Sequence, residues 1–160
     1  LRRLRDEVPN LTLRTTVMVG FPGETEEDVD HIIEGIEEFQ LARLGAFTYS
    51  DEESTPAHDL SDPVPMEVAK ERHARVLDAR DRVLMASQEA LVGTEALVLI
   101  DEPPHPGDGT LVGRTAADAP EVDLITRVLP EENSELGVGD LVPIQVEGVD
   151  EHANLIGRPL

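Results

Sequence analysis

The apolar residues of this 160-residue chain change their spacing near Gly93. Before that point, two segments carry apolar side chains at helical spacing; after it, apolar and polar residues alternate in short runs. A period of about 3.6 residues predicts helices, whereas strict alternation predicts strands with one buried face. The sequence therefore predicts two domains, an α/β domain over residues 1–92 and an all-β domain over residues 93–160.

The first domain is predicted to contain a strand, a helix and a second strand. Residues 11–19 are apolar and β-branched, which favours a strand buried within a parallel sheet. A helix is predicted to begin after Thr25 as its N-cap, and residues 44–50 form the next strand. Because a helical crossover joins parallel strands, we expect the two strands to pair in parallel.

A long helix is predicted to end the first domain. Residues 51–65 are rich in proline and small polar residues and form a loop, whereas the segment from Met66 to about Val92 contains neither Gly nor Pro. Its basic and acidic residues balance, so we expect the basic side chains to lie on a solvated face; the alternative is a stripe that binds a partner.

Five short strands are predicted in the second domain, and turns rich in Pro, Gly and Asp separate them. They cover residues 94–100, 110–115, 122–129, 140–149 and 154–158. Short strands at this spacing predict a small closed or nearly closed β-barrel.

The charge of the chain restricts its partners. There are 34 acidic and 13 basic residues, which gives a net charge of −21. Residues 93–160 alone contain fourteen acids and three arginines. Such a surface repels nucleic acid and attracts basic proteins. Aromatic side chains for base stacking are also missing after Tyr49. We therefore expect a basic protein, and not nucleic acid, as the partner of the barrel. The alternative is that the acids form an evenly spread coat for solubility or salt tolerance.

Several kinds of site are not supported by the sequence. The chain has no cysteine, so it cannot supply thiolates to an iron–sulfur cluster or to zinc. Its five histidines share no metal-ligand spacing, and no metal site is predicted. No apolar run approaches the ~18 residues of a membrane span, and no signal peptide is evident. The chain is expected to be cytoplasmic, without a membrane partner.

Two strand ends carry the candidate binding residues. The stretch VMVGFPGETEEDV runs from an apolar strand through a glycine–proline corner into four carboxylates, which disfavours a bound phosphate. Gly20 and Gly23 either let a ligand approach the backbone or simply form the turn. Arg14 could bind a carboxylate or pair with a nearby acid, and Tyr49 and Ser50 end the second strand, where ligands gather in such sheets.

These stretches resemble a known enzyme family. LRTTVMVGFPGETEEDV, RLGAFTYSDEESTPA and GRTAADAPEVD together look like the C-terminal half of a radical S-adenosylmethionine methylthiotransferase. VGFPGETEED is shared by the branches that modify tRNA and ribosomal protein. The other two stretches resemble the ribosomal, RimO-type branch, since the tRNA-modifying, MiaB-type branch usually has Arg-Pro-Gly where this chain has Glu52-Glu53-Ser54.

The resemblance implies a fold, a reaction and a set of cofactors. The fold would be part of a radical-SAM (β/α) barrel followed by a five-stranded, OB-like TRAM barrel. The reaction would add a methylthio group to the β-carbon of an aspartate in small-subunit ribosomal protein twelve, a basic protein. It would use S-adenosylmethionine and two 4Fe-4S clusters whose cysteine ligands lie outside this chain.

The resemblance also assigns roles to individual residues. S-adenosylmethionine would be bound in part by Gly20, Phe21, Pro22, Gly23, Arg14, Tyr49 and Ser50. No catalytic residue is assigned within the chain, which is expected to be a C-terminal portion and inactive alone. Two alternatives stay open at this point: a tRNA methylthiotransferase of the MiaB-type branch, and a non-catalytic binding module.

Overall fold

A computed structural model describes residues 1–131 and 134–160 of the chain. These residues divide into two compact units, Leu1–Leu84 and Met85–Leu160. The helices are α1 (Arg2–Glu7), α2 (Glu26–Glu38) and α3 (Met66–Glu89). The strands are β1 (Arg14–Val19), β2 (Arg43–Thr48), β3 (Glu95–Glu102), β4 (Leu111–Arg114), β5 (Thr126–Val128), β6 (Leu141–Val149) and β7 (Leu155–Pro159).

This order confirms the predicted combination of an α/β part and an all-β part. The predicted boundary at residue 93 falls just after α3 ends, and it stays a prediction about which segment folds alone. Within the described residues, no helix combines the length and the apolar character that a membrane span requires.

In the first unit, β1 and β2 form a two-stranded parallel sheet, as predicted. One face of this sheet packs on α2 and α3, and Val19 and Leu44 are buried there with Val29, Ile36 and Val76. On the opposite face, Thr16, Met18 and Phe47 are exposed. The expectation that β1 is buried on both sides is therefore wrong for the described residues, because the helices cover only one face.

Helix α2 begins at the predicted N-cap. The Thr25 hydroxyl accepts a hydrogen bond from the Asp28 N–H at 3.3 Å, and the Asp28 carboxylate accepts one from the Thr25 N–H at 2.9 Å. This capping box satisfies two backbone donors that a helix start would otherwise leave unpaired. Glu26 and Glu27 add negative charge in the first turn, where the helix dipole favours it.

Helix α3 buries a stripe of side chains at intervals of three and four residues. The stripe contains Ala69, Arg72, Val76, Ala79 and Val83. Its two alanines are small enough to let the helix lie close to its neighbours. The prediction that the basic residues of α3 lie on a solvated face is wrong at Arg72, which is 7% exposed.

The second unit is a closed barrel with the strand order β3-β4-β5-β7-β6. All neighbouring strands are antiparallel except β5 and β7, which run parallel. Its interior is filled by aliphatic side chains: Val98, Ile100, Leu111, Val128, Val142, Ile144, Val146 and Leu155. The closed five-stranded barrel that alternation predicted is confirmed.

Two glycines lie where a barrel strand passes close to the backbone of its neighbour. A Cβ on Gly113 would lie 2.3 Å from the Leu99 carbonyl oxygen, and one on Gly157 would lie 2.4 Å from the Gln145 carbonyl oxygen. Neither distance is compatible with a side chain, so both positions require glycine.

The third barrel strand is shorter than predicted. It covers Thr126–Val128, whereas alternation indicated residues 122–129. A turn occupies the earlier part of that segment, since the Ala119 carbonyl accepts hydrogen bonds from Val122 and Asp123. The Asp123 carboxylate in turn accepts the Ala119 N–H at 2.8 Å. This local side-chain bond competes with strand pairing.

Candidate functional site

The corner after β1 has a backbone that only glycine fits easily. Gly20 has a φ of +78°, and a Cβ at this position would lie 2.6 Å from the Ala69 Cβ. Gly23 has a φ of +84°, and its N–H donates to the Asp62 carbonyl at 2.8 Å. Both glycines therefore shape the turn, and Gly20 also makes room for α3.

In the acid-rich corner, a carboxylate of the chain itself binds a backbone N–H group. The Glu24 carboxylate accepts the Gly20 N–H at 2.9 and 3.0 Å. The Arg72 guanidinium donates to the same carboxylate at 2.8 Å, and both side chains are 8% exposed. A backbone donor that could have bound a phosphate is thus already satisfied by a neutralised carboxylate.

A second layer of charge surrounds this buried pair. Glu26 accepts hydrogen bonds from Arg72 at 2.6 Å and from Arg75 at 2.7 Å. Arg75 also donates to Asp30 at 2.5 Å. The hydrogen bonds from Arg72, and then those from Arg75, hold the pKa of Glu26 below its usual value. Helix α3 is therefore tied to both the corner and the first turns of α2.

A cavity of about 310 Å³ lies where β1 and β2 end. The corner contributes Gly20 and Pro22, and the residues after β2 contribute Tyr49, Asp51 and His58. Apolar side chains from the following loop and the start of α3 complete its wall: Ala57, Leu60, Pro63, Val64, Met66 and Ala69. The site combines apolar walls with a small polar group, as small-molecule sites do.

Tyr49 is the centre of the polar group. Its N–H donates to the Val19 carbonyl at 2.8 Å, its ring meets the Phe21 ring edge-on at 5.3 Å, and its hydroxyl donates to Asp51 at 3.3 Å. Burial raises the pKa of Tyr49, and the Asp51 carboxylate raises it further, so the phenol keeps its proton. His58 Nδ1 lies 3.0 Å from the same carboxylate oxygen.

The predicted binding residues do not all reach this cavity. Gly20, Pro22 and Tyr49 line it, and Phe21 packs against Tyr49. Gly23 lies in the turn outside the lining, and the exposed Ser50 hydroxyl contacts Glu52 at 3.4 Å. Arg14 opens β1, at the opposite end of the strand from Gly20.

Asp51 and His58 were not predicted, although they line the cavity. Asp51 directly follows the two residues chosen at the end of β2, so the rule that ligands gather at strand ends could have included it. His58 carried no such signal, because the fold of the loop, and not its sequence spacing, brings it to Asp51.

Comparison with known proteins identifies the barrel and several relatives of the chain. Residues 92–159 match the TRAM domain family. Nearly the whole chain is similar to proteins named ribosomal protein uS12 methylthiotransferase RimO. The relative from Thermus thermophilus is 43% identical over 152 residues, which is 95% of this chain and 34% of the relative. The relative from Bordetella pertussis has the same identity and coverage, and that from Marinobacter nauticus is 43% identical over 95% of this chain and 32% of its own length.

The barrel therefore defines the chain as a TRAM-domain protein. Over nearly its full length the chain is similar to RimO-type methylthiotransferases. The chain spans about a third of the length of the relatives it matches.

Proposed function

We propose that the full-length protein is a RimO-type methylthiotransferase that modifies the β-carbon of an aspartate in ribosomal protein uS12. The observation that carries this proposal is the 43% identity, over 95% of the chain, to relatives of that name. This chain would supply part of the cofactor pocket and the barrel that docks the substrate. Alone it would be inactive, because it contains no cysteine to ligate a cluster.

The cavity suits one part of S-adenosylmethionine. The cofactor carries a sulfonium and no phosphate, so an acidic surrounding favours it. The Asp51 carboxylate would face the positive charge, and the Tyr49 ring and Pro22 would contact the apolar portions. When bound, the cofactor would supply the radical chemistry of this enzyme class at an iron–sulfur cluster. The residues of this chain would bind and orient it, and Gly20, held by Glu24, would fix the corner against it.

The two 4Fe-4S clusters would be held outside this chain. Thiolates are the usual ligands of such clusters, and the chain has none. The described residues also contain no group of three or more His, Asp or Glu side chains arranged to hold a metal ion. We therefore assign cofactor binding, but no cluster ligation, to this chain.

The barrel is the proposed docking surface for a basic ribosomal protein. Fourteen acids and three arginines in residues 93–160 give it a strongly negative field. Such a field accelerates the encounter with a Lys- and Arg-rich partner and repels phosphates. This supports a protein substrate over the tRNA substrate of the MiaB-type branch.

A modification assay tests the proposal. The full-length protein, with its clusters reconstituted, is incubated with S-adenosylmethionine and either purified uS12 or bulk tRNA, and both are examined by mass spectrometry. We expect one methylthio group on one aspartate of uS12 and none on tRNA. Modified tRNA would assign the protein to the other branch. Binding of uS12 without modification by the cluster-loaded protein would make it a binding module.

A further inference from the structure

A groove of about 720 Å³ lies on the outside of the barrel, between the loop of residues 103–110 and strands β4, β5 and β7. Proline and aliphatic side chains form much of its lining: Pro103, Pro104, Pro106, Val112, Leu129 and Ile156. This groove is separate from the cavity at the ends of β1 and β2, and the proposed cofactor does not use it.

The floor of the groove follows from the strand register. Val112 pairs with Arg127 and Arg127 pairs with Ile156, so the three side chains form one row across β4, β5 and β7. Their sequence neighbours Leu111, Val128 and Leu155 point into the barrel and are buried. By alternation the row must point outward. The Arg127 guanidinium therefore lies between the Val112 and Ile156 side chains, one on each side.

Hydrogen bonds fix the conformation of the loop beside this floor. The His105 N–H donates to the Thr110 carbonyl at 2.9 Å, and the Gly109 N–H donates to the His105 carbonyl at 2.9 Å. The Asp108 carboxylate accepts the Thr110 N–H at 3.0 Å. With three prolines in the same segment, the wall loses little conformational freedom when a ligand binds.

The groove lies on the face that OB-type barrels use for ligands. That face is formed by the second and third strands and by the loop between the first and second strands, here β4, β5 and residues 103–110. In nucleic-acid-binding barrels it carries basic and aromatic residues. Here Glu102, His105 and Asp108 are in the lining, and residues 93–160 contain no Phe, Tyr or Trp.

The arginine of the floor does not make the groove suitable for nucleic acid. Arg127 Nε lies 3.6 Å from an Asp150 carboxylate oxygen, so an acid of the β6–β7 turn partly neutralises its charge. Phosphates would thus meet the carboxylates of Glu102 and Asp108 and an arginine that is already paired. An aliphatic side chain would instead contact Val112 and Ile156, and flanking cations would find carboxylates.

We propose that this groove docks an extended, basic segment of the substrate protein through one aliphatic side chain, with flanking Lys or Arg residues paired to Glu102 and Asp108. The inference rests on the proposed function, because it takes the segment from a basic ribosomal protein. It goes further by fixing which barrel face binds and which side chain the segment must offer.

Calorimetric titration of the 160-residue chain with purified uS12, and separately with a uridine oligonucleotide, tests the groove. Ile156→Ser should weaken uS12 binding about tenfold, as expected for a buried contact at the centre of an interface. Glu102→Gln, at an exposed site that cannot disturb the core, should weaken binding and lower its salt dependence. Leu97→Ser removes an exposed aliphatic side chain of β3 outside the groove and should change nothing.

Wild-type affinity in both Ile156→Ser and Glu102→Gln would overturn the groove, as would tighter binding of the oligonucleotide than of uS12. These outcomes are distinct from failure of the proposed function. If uS12 is modified by the full-length protein while both variants bind it normally, the docking face lies elsewhere. If uS12 binds in the groove but is never modified, the enzymatic proposal fails and the groove stands.

Discussion

An Arg72 guanidinium nitrogen lies 2.8 Å from a Glu24 carboxylate oxygen, and both side chains are 8% exposed. The same carboxylate accepts the Gly20 N–H. One buried ion pair thus connects α3, the first turn after β1 and the backbone at the cavity. Removing one partner would leave a charge that neither water nor another side chain fully compensates.

Arg72→Ala should therefore lower the free energy of unfolding of the first unit by about 3–5 kcal/mol. Arg75→Ala is the matched control: Arg75 pairs with Glu26 and Asp30 but is 36% exposed, so its loss should cost less than about 1 kcal/mol. Urea unfolding followed by the helical circular dichroism signal measures both. Equal losses in the two variants would show that burial of the Arg72–Glu24 pair is unimportant.

Gly20→Ala should destabilise the first unit by about 1–3 kcal/mol, since it places a side chain at positive φ and against Ala69. Gly35→Ala should have the opposite effect on stability. Gly35 is inside α2 with nothing within 4 Å of an added Cβ, so alanine should stabilise by about 0.5–1 kcal/mol. Thermal unfolding of both variants compares them, and a Gly20→Ala protein as stable as wild type would contradict the packing argument.

The stability of the first unit should fall in acid. Hydrogen bonds from Arg72 and Arg75 lower the pKa of Glu26 below its usual 4.5, and those from the Thr25 N–H and hydroxyl lower the pKa of Asp28 below its usual 3.8. A lowered pKa in the folded state contributes stability that is fully present above the usual value and is lost as pH falls through the lowered one. The free energy of unfolding should therefore decrease below about pH 4.5.

Urea unfolding at a series of pH values measures this decrease. Glu26→Gln and Asp28→Asn together should flatten the slope below that pH, because neither amide titrates. Glu34→Gln, on an exposed position of α2, serves as the control and should leave the slope as it is. An unchanged slope in the double variant would mean that other carboxylates cause the acid sensitivity.

The barrel is predicted to fold without the first unit, and the end of α3 should assist it. Gln88 is 4% exposed and donates to the Ala153 carbonyl at 3.0 Å. A fragment of residues 85–160 should therefore be about 1 kcal/mol more stable than one of residues 93–160, and Gln88→Ala should remove much of that difference. Far-ultraviolet circular dichroism and urea unfolding compare the three. A random-coil spectrum from residues 93–160 would contradict the predicted boundary.

Asp51→Asn should weaken binding of S-adenosylmethionine to the full-length protein more than it weakens binding of S-adenosylhomocysteine. The first ligand carries a sulfonium that the carboxylate would attract, and the second has a neutral sulfur. We expect about a tenfold loss for the sulfonium ligand, or roughly 1.4 kcal/mol. Asp59→Asn, in the same loop but outside the cavity lining, is the control. Equal losses for both ligands would remove Asp51 from charge recognition.

Features that depend on neighbouring residues could be predicted from the sequence. The Thr25 cap, α2 and the alternating barrel strands are of this kind, because each is set within a few residues. The burial of Arg72 is different, since its partner Glu24 is 48 positions away in the chain. The reason for glycine at position 20 likewise depends on Ala69, which only the packing of α3 brings near.

The candidate site could also be predicted only in part. Strand ends identified Gly20 and Tyr49, because residues after parallel strands meet at one edge of the sheet. The family resemblance added Pro22. His58 escaped prediction, since its position depends on how residues 51–65 fold back to the cavity. Arg14 was chosen for its charge on a strand, and it belongs to the end of β1 away from the cavity.

The position of Tyr49 has an optical consequence. The chain has one tyrosine and no tryptophan, so its intrinsic fluorescence comes almost entirely from a ring on the cavity wall. A ligand that enters the cavity should change this emission directly. A partner without tyrosine or tryptophan that binds the barrel should leave this emission unchanged. Tyrosine fluorescence should therefore report binding in the cavity alone, whereas calorimetry also detects binding to the barrel.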